Sequence, residues 1–288
     1  MKKYIKLMRP YQWVKNLFCL AGVVFGLHFA ESNLLFSALL TFIVFCLAAS
    51  SIYVLNDIID VVADRAHPKK KERPIAAGKI SISQAYCFFT LLLCGALGLA
   101  AFVSQYLVLI VLIYIIMNMY YSKKGKHIVI FDVFIISIGF LLRVFAGTFC
   151  IGISISQWLV LCVMMLTLFL GFSKRRSELL AIEGIPHKER GLQRRVLEKY
   201  EPKMLDMFIS ITAGASILSY ALFIVINHFN SNIIYTVIFV IYGIFRYIFL
   251  LYAHGGGQDT ANELLDDKHL IITIGLWIAS YVGILLLS

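Results

Sequence analysis

The chain has 288 residues, 60% of them hydrophobic, with a mean hydropathy of +0.86. That is far too apolar for a soluble globular domain, so the composition points to a polytopic helical membrane protein. The formal net charge of +10 does not imply nucleic acid, because the basic residues sit in short loops between apolar runs, where membrane orientation and anionic phosphates account for them.

The N-terminal stretch Arg9-Pro10-Tyr11-Gln12-Trp13-Val14-Lys15-Asn16 follows Lys2, Lys3 and Lys6, and no small-residue cleavage site follows the apolar run it opens. It reads as retained, not as a signal peptide. Trp13 and Lys15 suit an interfacial anchor. Gln12 and Asn16 are not needed for anchoring, which turns the reading towards a phosphate site with Lys15 as its cation.

Apolar runs of crossing length recur at roughly 16–31, 34–56, 82–104, 106–121, 131–152, 155–173, 204–228, 233–252 and 269–287. Nine spans in a single domain, 1–288, are expected. The connections near Glu31, Ser104-Gln105, 152–156 and 227–232 carry no Lys or Arg. All 26 basic residues except Arg143 and Arg246 lie in the N-terminal segment or the alternate connections. Basic loops stay inside, which puts the N-terminus in the cytoplasm and the C-terminus outside an inner (plasma) membrane. Every acidic residue but Glu31 shares that side, so the chemistry is expected to face the cytoplasm.

The second run ends in Asn56-Asp57-Ile58-Ile59-Asp60-Val61-Val62-Ala63-Asp64, followed by Arg65, the His67-Pro68 turn, Lys69 to Lys71 and Arg73-Pro74. If the helix continues, Asn56, Asp60 and Asp64 stack four apart on one face and Asp57 joins them. A solvated acidic loop would explain the charges but not this spacing. Three carboxylates facing one way repel unless a cation sits among them. Oxygen-only ligands suit Mg²⁺, which completes its octahedron with water and substrate phosphates. Asn56, Asp57, Asp60 and Asp64 are therefore candidate metal ligands, with Asp57, Asp60 and Asp64 catalytic. Arg73 and Lys70 are candidates to neutralise a leaving diphosphate, and 73–78 reads as a re-entrant stretch.

Further on, Tyr121-Ser122-Lys123-Lys124-Gly125-Lys126-His127 fits either an orientation signal or a phosphate site. Asp132 opens the fifth run, and Arg143 follows eleven residues later on the same face, about 16 Å deeper. An intramembrane arginine is costly and marks a functional site or a structural pair. Lys174-Arg175-Arg176-Ser177-Glu178 closes the sixth run, and a mixed-charge connection leads to Lys203. Gly255-Gly256-Gly257 fits a phosphate approach or a flexible connector. The six cysteines lie singly in apolar runs without a CxxC pair, as buried thiols do.

Asn56-Asp57-x-x-Asp60-x-x-x-Asp64 resembles the first aspartate-rich motif of the UbiA superfamily of intramembrane prenyltransferases. The likeness covers the whole chain and implies a nine-helix bundle whose central cavity opens to the cytoplasm and takes a magnesium-diphosphate substrate. RPYQWVKN at 9–16, DRAHPKKKERPIAAG at 64–78, YSKKGK at 121–126 and GFLLRVFAG at 139–147 are similar to one branch, the decaprenyl-phosphate phosphoribosyltransferases. That branch implies phosphoribosyl diphosphate as donor and a polyprenyl phosphate, decaprenyl or undecaprenyl, as acceptor, for cell-envelope glycan precursors. Where prenylating relatives carry a second DxxxD motif, this chain reads Ser173-Lys174-Arg175-Arg176-Ser177-Glu178, which suits a donor with an additional 5-phosphate. On this reading Lys15, Lys126 and Arg143 orient the lipid phosphate, helped by Gln12 and Asn16. Arg73, Tyr121, Lys174 and Arg175 contact the donor, and Asp132 takes a second ion or a ribose hydroxyl. Prenyl transfer to an aromatic acceptor is the enzymatic alternative. A cation-coupled transporter is the other, but transporters place ionisable groups near the midplane, and here only Arg143 is deep.

Overall fold

The computed structural model describes residues 2–26, 31–66, 70–183, 196–227, 231–253 and 266–286. The His67-Pro68 turn, most of the mixed-charge connection (184–195) and the Gly255 to Gly257 run lie outside the described residues. Among those described, every regular element is helical: α1 Lys2–Met8, α2 Ala21–Phe25, α3 Ser32–Ile59, α4 Val61–Ala66, α5 Ile82–Val103, α6 Gln105–Lys123, α7 Phe131–Ala146, α8 Gln157–Glu183, α9 Pro202–Asn227, α10 Val237–Ala253 and α11 Lys268–Leu286. Eight helical stretches among them are long and apolar enough to cross a membrane. The chain is an all-α polytopic membrane protein.

The ninth expected span, at 16–31, is not one long helix among the described residues. Pro10–Leu20 winds as a 3₁₀ helix and passes into the five-residue α2. A 3₁₀ turn brings residues three apart onto one face, and Trp13, Asn16, Cys19 and Gly22 follow that period. Asn16 and Cys19 are buried there. The period ends in backbone-to-backbone contact: a Cβ on Gly22 would lie 2.3 Å from the Gly147 oxygen, and one on Gly147 only 1.7 Å from the Cys19 oxygen. Only glycine admits that approach.

Contacts divide the chain into two compact units, Met1–Gly125 with Leu142–Ile155, and Lys126–Leu141 with Ser156–Ser288. In the first, α3 is the axis. At 28 residues it is about 42 Å long, more than the ~30 Å of hydrocarbon a span must cross. Of its most apolar window 61% is buried, against 17–22% for α5 and α6, which turn most of their side chains towards lipid. Ser104 makes the hairpin between those two, its extended backbone ending α5 and its hydroxyl capping the Leu107 N–H of α6. In the second unit α8, α9 and α10 close over Phe169, Phe172, Leu205, Ile209 and Tyr247.

Candidate active site

In the first unit the acidic motif is helical almost throughout. The α3 hydrogen-bond ladder runs on through Asp60, whose N–H reaches the Asn56 carbonyl (2.9 Å), and the Asp64 N–H reaches Asp60 (2.8 Å). Asp60 itself leaves helical geometry slightly (φ −88°, ψ 7°). Asp57 and Asp64, seven apart, keep one face and are almost fully buried, at 2% and 3% exposure. Arg73 Nη1 bridges them, 3.1 Å from Asp57 Oδ1 and 2.7 Å from Asp64 Oδ2, and Arg9 Nη2 meets the same Asp57 oxygen at 2.5 Å. Asn56 Oδ1 accepts from the Ser122 hydroxyl at 2.8 Å.

Arg73 is aimed by its own turn. Pro74 and Gly78 fold residues 74–80 back, with the Lys79 and Ile80 N–H groups on the Pro74 carbonyl and Gly78 in the left-handed region (φ 70°). Ile75 and Ile80 are buried with Leu7, Val54, Ile58 and Val61. The expected re-entrant stretch is thus a turn plugged into the core beneath the acids.

The 3₁₀ segment lies along one stripe of α3 at positions 46, 50, 53 and 57, spaced as successive helical turns. Arg9 covers the Tyr53 ring and reaches Asp57. Trp13 Nε1 donates to Ser50 Oγ (3.2 Å) and Asn16 Nδ2 to Cys46 Sγ (3.2 Å). Asn16 is 1% exposed and its Oδ1 accepts from Arg143 Nε at 2.8 Å. Arg143 also donates to the Tyr114 hydroxyl at 3.0 Å and sits over the Phe45 and Tyr114 rings. Asn16 is thereby one partner of Arg143. Arg143 lies at the level of Phe45 and Cys46, three turns or about 16 Å along α3 from Asp57. Arg143, expected to orient the lipid phosphate, has Asn16 and Tyr114 among its partners here.

In the second unit two residues expected at the donor, Asp132 and Arg175, meet each other. Arg175 and Asp132 are 1% and 0% exposed and pair with each other, Nε to Oδ2, at 2.6 Å. Arg175 Nη1 also donates to Glu178. The other Asp132 oxygen accepts from the Tyr200 hydroxyl at 3.0 Å, and that hydroxyl accepts the Ile130 N–H at 2.6 Å. Burial, then the charge of Asp132, raises the Tyr200 phenol above its ordinary range, keeping it a donor. Each Asp132 oxygen thus accepts a hydrogen bond within the unit, and the Arg175 guanidinium meets Asp132 and Glu178. Arg176 turns to Asp206 and the Tyr252 ring. Lys174, Lys126, Tyr121, Lys15 and Gln12 remain half-buried.

Among the described residues no three acidic, histidine or cysteine side chains converge closely enough to hold a metal. The expected nest of Asn56, Asp57, Asp60 and Asp64 is therefore not assembled: Asp57 and Asp64 close on Arg73, and half-buried Asp60 takes no part in those bridges. The donor set nevertheless fits a hard divalent ion. It offers oxygen alone, and its two buried carboxylates already require a cation between them, a place the Arg73 guanidinium now fills. Sequence reading gave no role to Arg9, Tyr114, Ser122 or Tyr200. Arg9 carried a signal, since a basic residue beside Pro10 opens the motif. Its backbone is left-handed (φ 53°), uncommon outside glycine.

The UbiA prenyltransferase family matches residues 16–264. A decaprenyl-phosphate phosphoribosyltransferase of Mycolicibacterium smegmatis is 37% identical over 222 residues, 76% of this chain and 69% of that protein. Its namesake in Mycobacterium tuberculosis is 30% identical over 281 residues, covering 96% and 92%. Among solved structures, a UbiA homolog from Archaeoglobus fulgidus bound to GPP and Mg²⁺ superposes with a TM-score of 0.73 at 18% identity, covering 98% of this chain and 99% of that one. With its acidic helix end inside the matched region, the chain belongs to the UbiA prenyltransferase family.

Proposed function

We propose that the protein transfers a 5-phosphoribosyl group from phosphoribosyl diphosphate to a polyprenyl phosphate, at the cytoplasmic face of an inner membrane. The observation that carries this reading is the 37% and 30% identity to proteins named for that transfer. Half-buried Lys174, at the end of the sixth run, suits the donor's additional phosphate. In this reading the chain is one domain with its N-terminus inside.

The chemistry asks little of the protein beyond charge. The bond from ribose C1 to the diphosphate oxygen breaks with its electron pair leaving on diphosphate, and a lipid phosphate oxygen bonds to C1 from the opposite face. A phosphate monoester is already nucleophilic at neutral pH, so no strong base is required. Mg²⁺ held by Asn56, Asp57, Asp60 and Asp64 would supply the neutralisation a departing diphosphate needs. Arg9 and Arg73, side chains 21% and 26% exposed, are hydrated enough to exchange carboxylate for phosphate, and we assign both to the leaving group. Ser122 fixes the Asn56 amide. Lys15 and Lys126 are assigned to the lipid phosphate, Gln12 and Tyr121 to hydrogen bonding beside it, and Lys174 to the donor's 5-phosphate.

The test supplies purified protein with radiolabelled phosphoribosyl diphosphate, polyprenyl phosphate and Mg²⁺. Label should move into the lipid fraction and stop when the metal is chelated. An unlabelled lipid, with prenylation of an aromatic acceptor when an allylic diphosphate is given, overturns the reading.

A further inference from the structure

Ile130 stands in the left-handed region with φ +68°. For a β-branched side chain that is an outlier, because its Cβ crowds the backbone. Such a conformation persists only where the surroundings enforce it, and it concentrates at functional sites. The enforcement is visible. The Ile130 N–H is held by the Tyr200 hydroxyl, which donates in turn to Asp132, whose other oxygen is gripped by the buried Arg175. Local turn chemistry contributes one bond, the Phe131 N–H to the Val129 carbonyl at 2.7 Å; Tyr200, 4% exposed and 70 residues away in the chain, adds a tertiary clamp to it. Just before the clamped residue, Gly125–His127 forms a short 3₁₀ turn carrying the half-buried Lys126.

We propose that Tyr200, backed by Asp132 and Arg175, is a positioning residue that locks the 126–132 segment so that Lys126 is held ready for a phosphate. This rests on the assignment of Lys126 to a substrate phosphate made above. The triad does not touch substrate. It removes the freedom a lysine on a loose loop would lose on binding, and so acts through affinity more than through turnover. The ionic pair behind the hydroxyl is rigid because neither partner has access to water.

The test is Tyr200→Phe, which deletes one hydroxyl and keeps the ring. Hydrogen exchange over residues 126–132 should quicken at least tenfold, and KM for the polyprenyl phosphate should rise about tenfold while kcat stays within twofold. In a Lys126→Ala background the same change should add nothing to KM. The double variant Y200F/I130G should recover much of the affinity, because glycine accepts the left-handed backbone without a clamp. Unchanged exchange in Y200F overturns the clamp whatever the substrate proves to be. Quickened exchange with an unchanged KM, or an equal KM penalty with and without Lys126, overturns its positioning role. If Y200F does not fold, R175K supplies the same readings with the hydroxyl in place.

Discussion

Each unit buries aspartate against arginine, but the two arrangements differ in what water can reach. In the first, Asp57 and Asp64 are 3% exposed while Arg9 and Arg73 keep 21% and 26% of their side chains open. In the second, Arg175 and Asp132 are both shut away, at 1% and 0%. A half-hydrated guanidinium pairs weakly and can be traded for another anion. A dry pair cannot be opened without leaving a bare charge. One arrangement is built for exchange and the other for rigidity, although the two look alike as sequence.

Stability separates them most sharply. Arg175→Met or Asp132→Leu alone should each cost about 3–5 kcal/mol, because the abandoned partner stays buried and charged. The combined D132L/R175M chain should recover much of that loss, since matched apolar residues replace a dry pair at little cost. Melting curves in detergent decide it. A double variant as unstable as the singles would mean that the pair's geometry, not its charge balance, holds the segment.

The first unit should fail the opposite way. Asp57→Asn is expected to lower kcat by about 10²–10³, the scale of removing one preorganised electrostatic group at a reacting centre, with little change in melting. Arg73→Ala should raise KM for the donor and lower the melting temperature more without Mg²⁺ than with it, because the buried Asp57 and Asp64 then lack a cation between them. If Asp57→Asn instead melted the chain and spared turnover, the proposed contrast between the units would collapse.

Backbone packing comes next in size. Gly147→Ala must push its Cβ into the Cys19 carbonyl, and overpacking of this kind costs about 1–3 kcal/mol. It should also loosen the Asn16–Arg143 bond, because the 3₁₀ segment carrying Asn16 has to move away. Gly98→Ala, where an added Cβ meets nothing, is the control and should stabilise α5 by up to about 1 kcal/mol. Thermal melting of both variants separates close approach from helix propensity.

How far the sequence revealed this follows from the range of each interaction. The spacing of Asn56, Asp57, Asp60 and Asp64 predicted a helical face, and the ladder through Asp60 keeps it. Apolar run lengths likewise located the eight long helices. Spacing names a face, however, and never the neighbour that meets it. Asn16 finds Arg143 across 127 residues and Ser122 finds Asn56 across 66. Read locally, Asn16 and Arg175 are candidate substrate groups, and nothing local names their partners Arg143 and Asp132. The 3₁₀ winding of 10–20 escaped for another reason. Its period of three was written in Trp13, Asn16 and Cys19, but two of those are not hydrophobic anchors in the usual sense, so an apolar run masked it.

A further arginine–aspartate pair sets the lower end of the scale. Arg246 and Asp267 are joined at 2.7 Å with 24% and 13% of their side chains exposed, so by hydration they resemble the first unit's pairs, although they belong to the second. Asp267 also caps α11, its Oδ1 accepting the Leu270 N–H at 2.9 Å. The hydrogen bonds from Arg246 hold the Asp267 carboxyl below its ordinary value of 3.8. A depressed value in the folded chain means the contribution is present above about pH 4, where an unfolded carboxylate is ionised. It is lost as pH falls through the folded value. Asp267→Asn keeps the cap and removes the charge, so its melting temperature should match the parent's at low pH and fall slightly short of it at pH 7. Asp267→Ala loses the cap as well and should cost about 1 kcal/mol at either pH. An Asp267→Asn chain that lost activity would mean exposure alone does not mark a pair as functional or structural, and hydration would have to be weighed together with the groups that each arginine could reach.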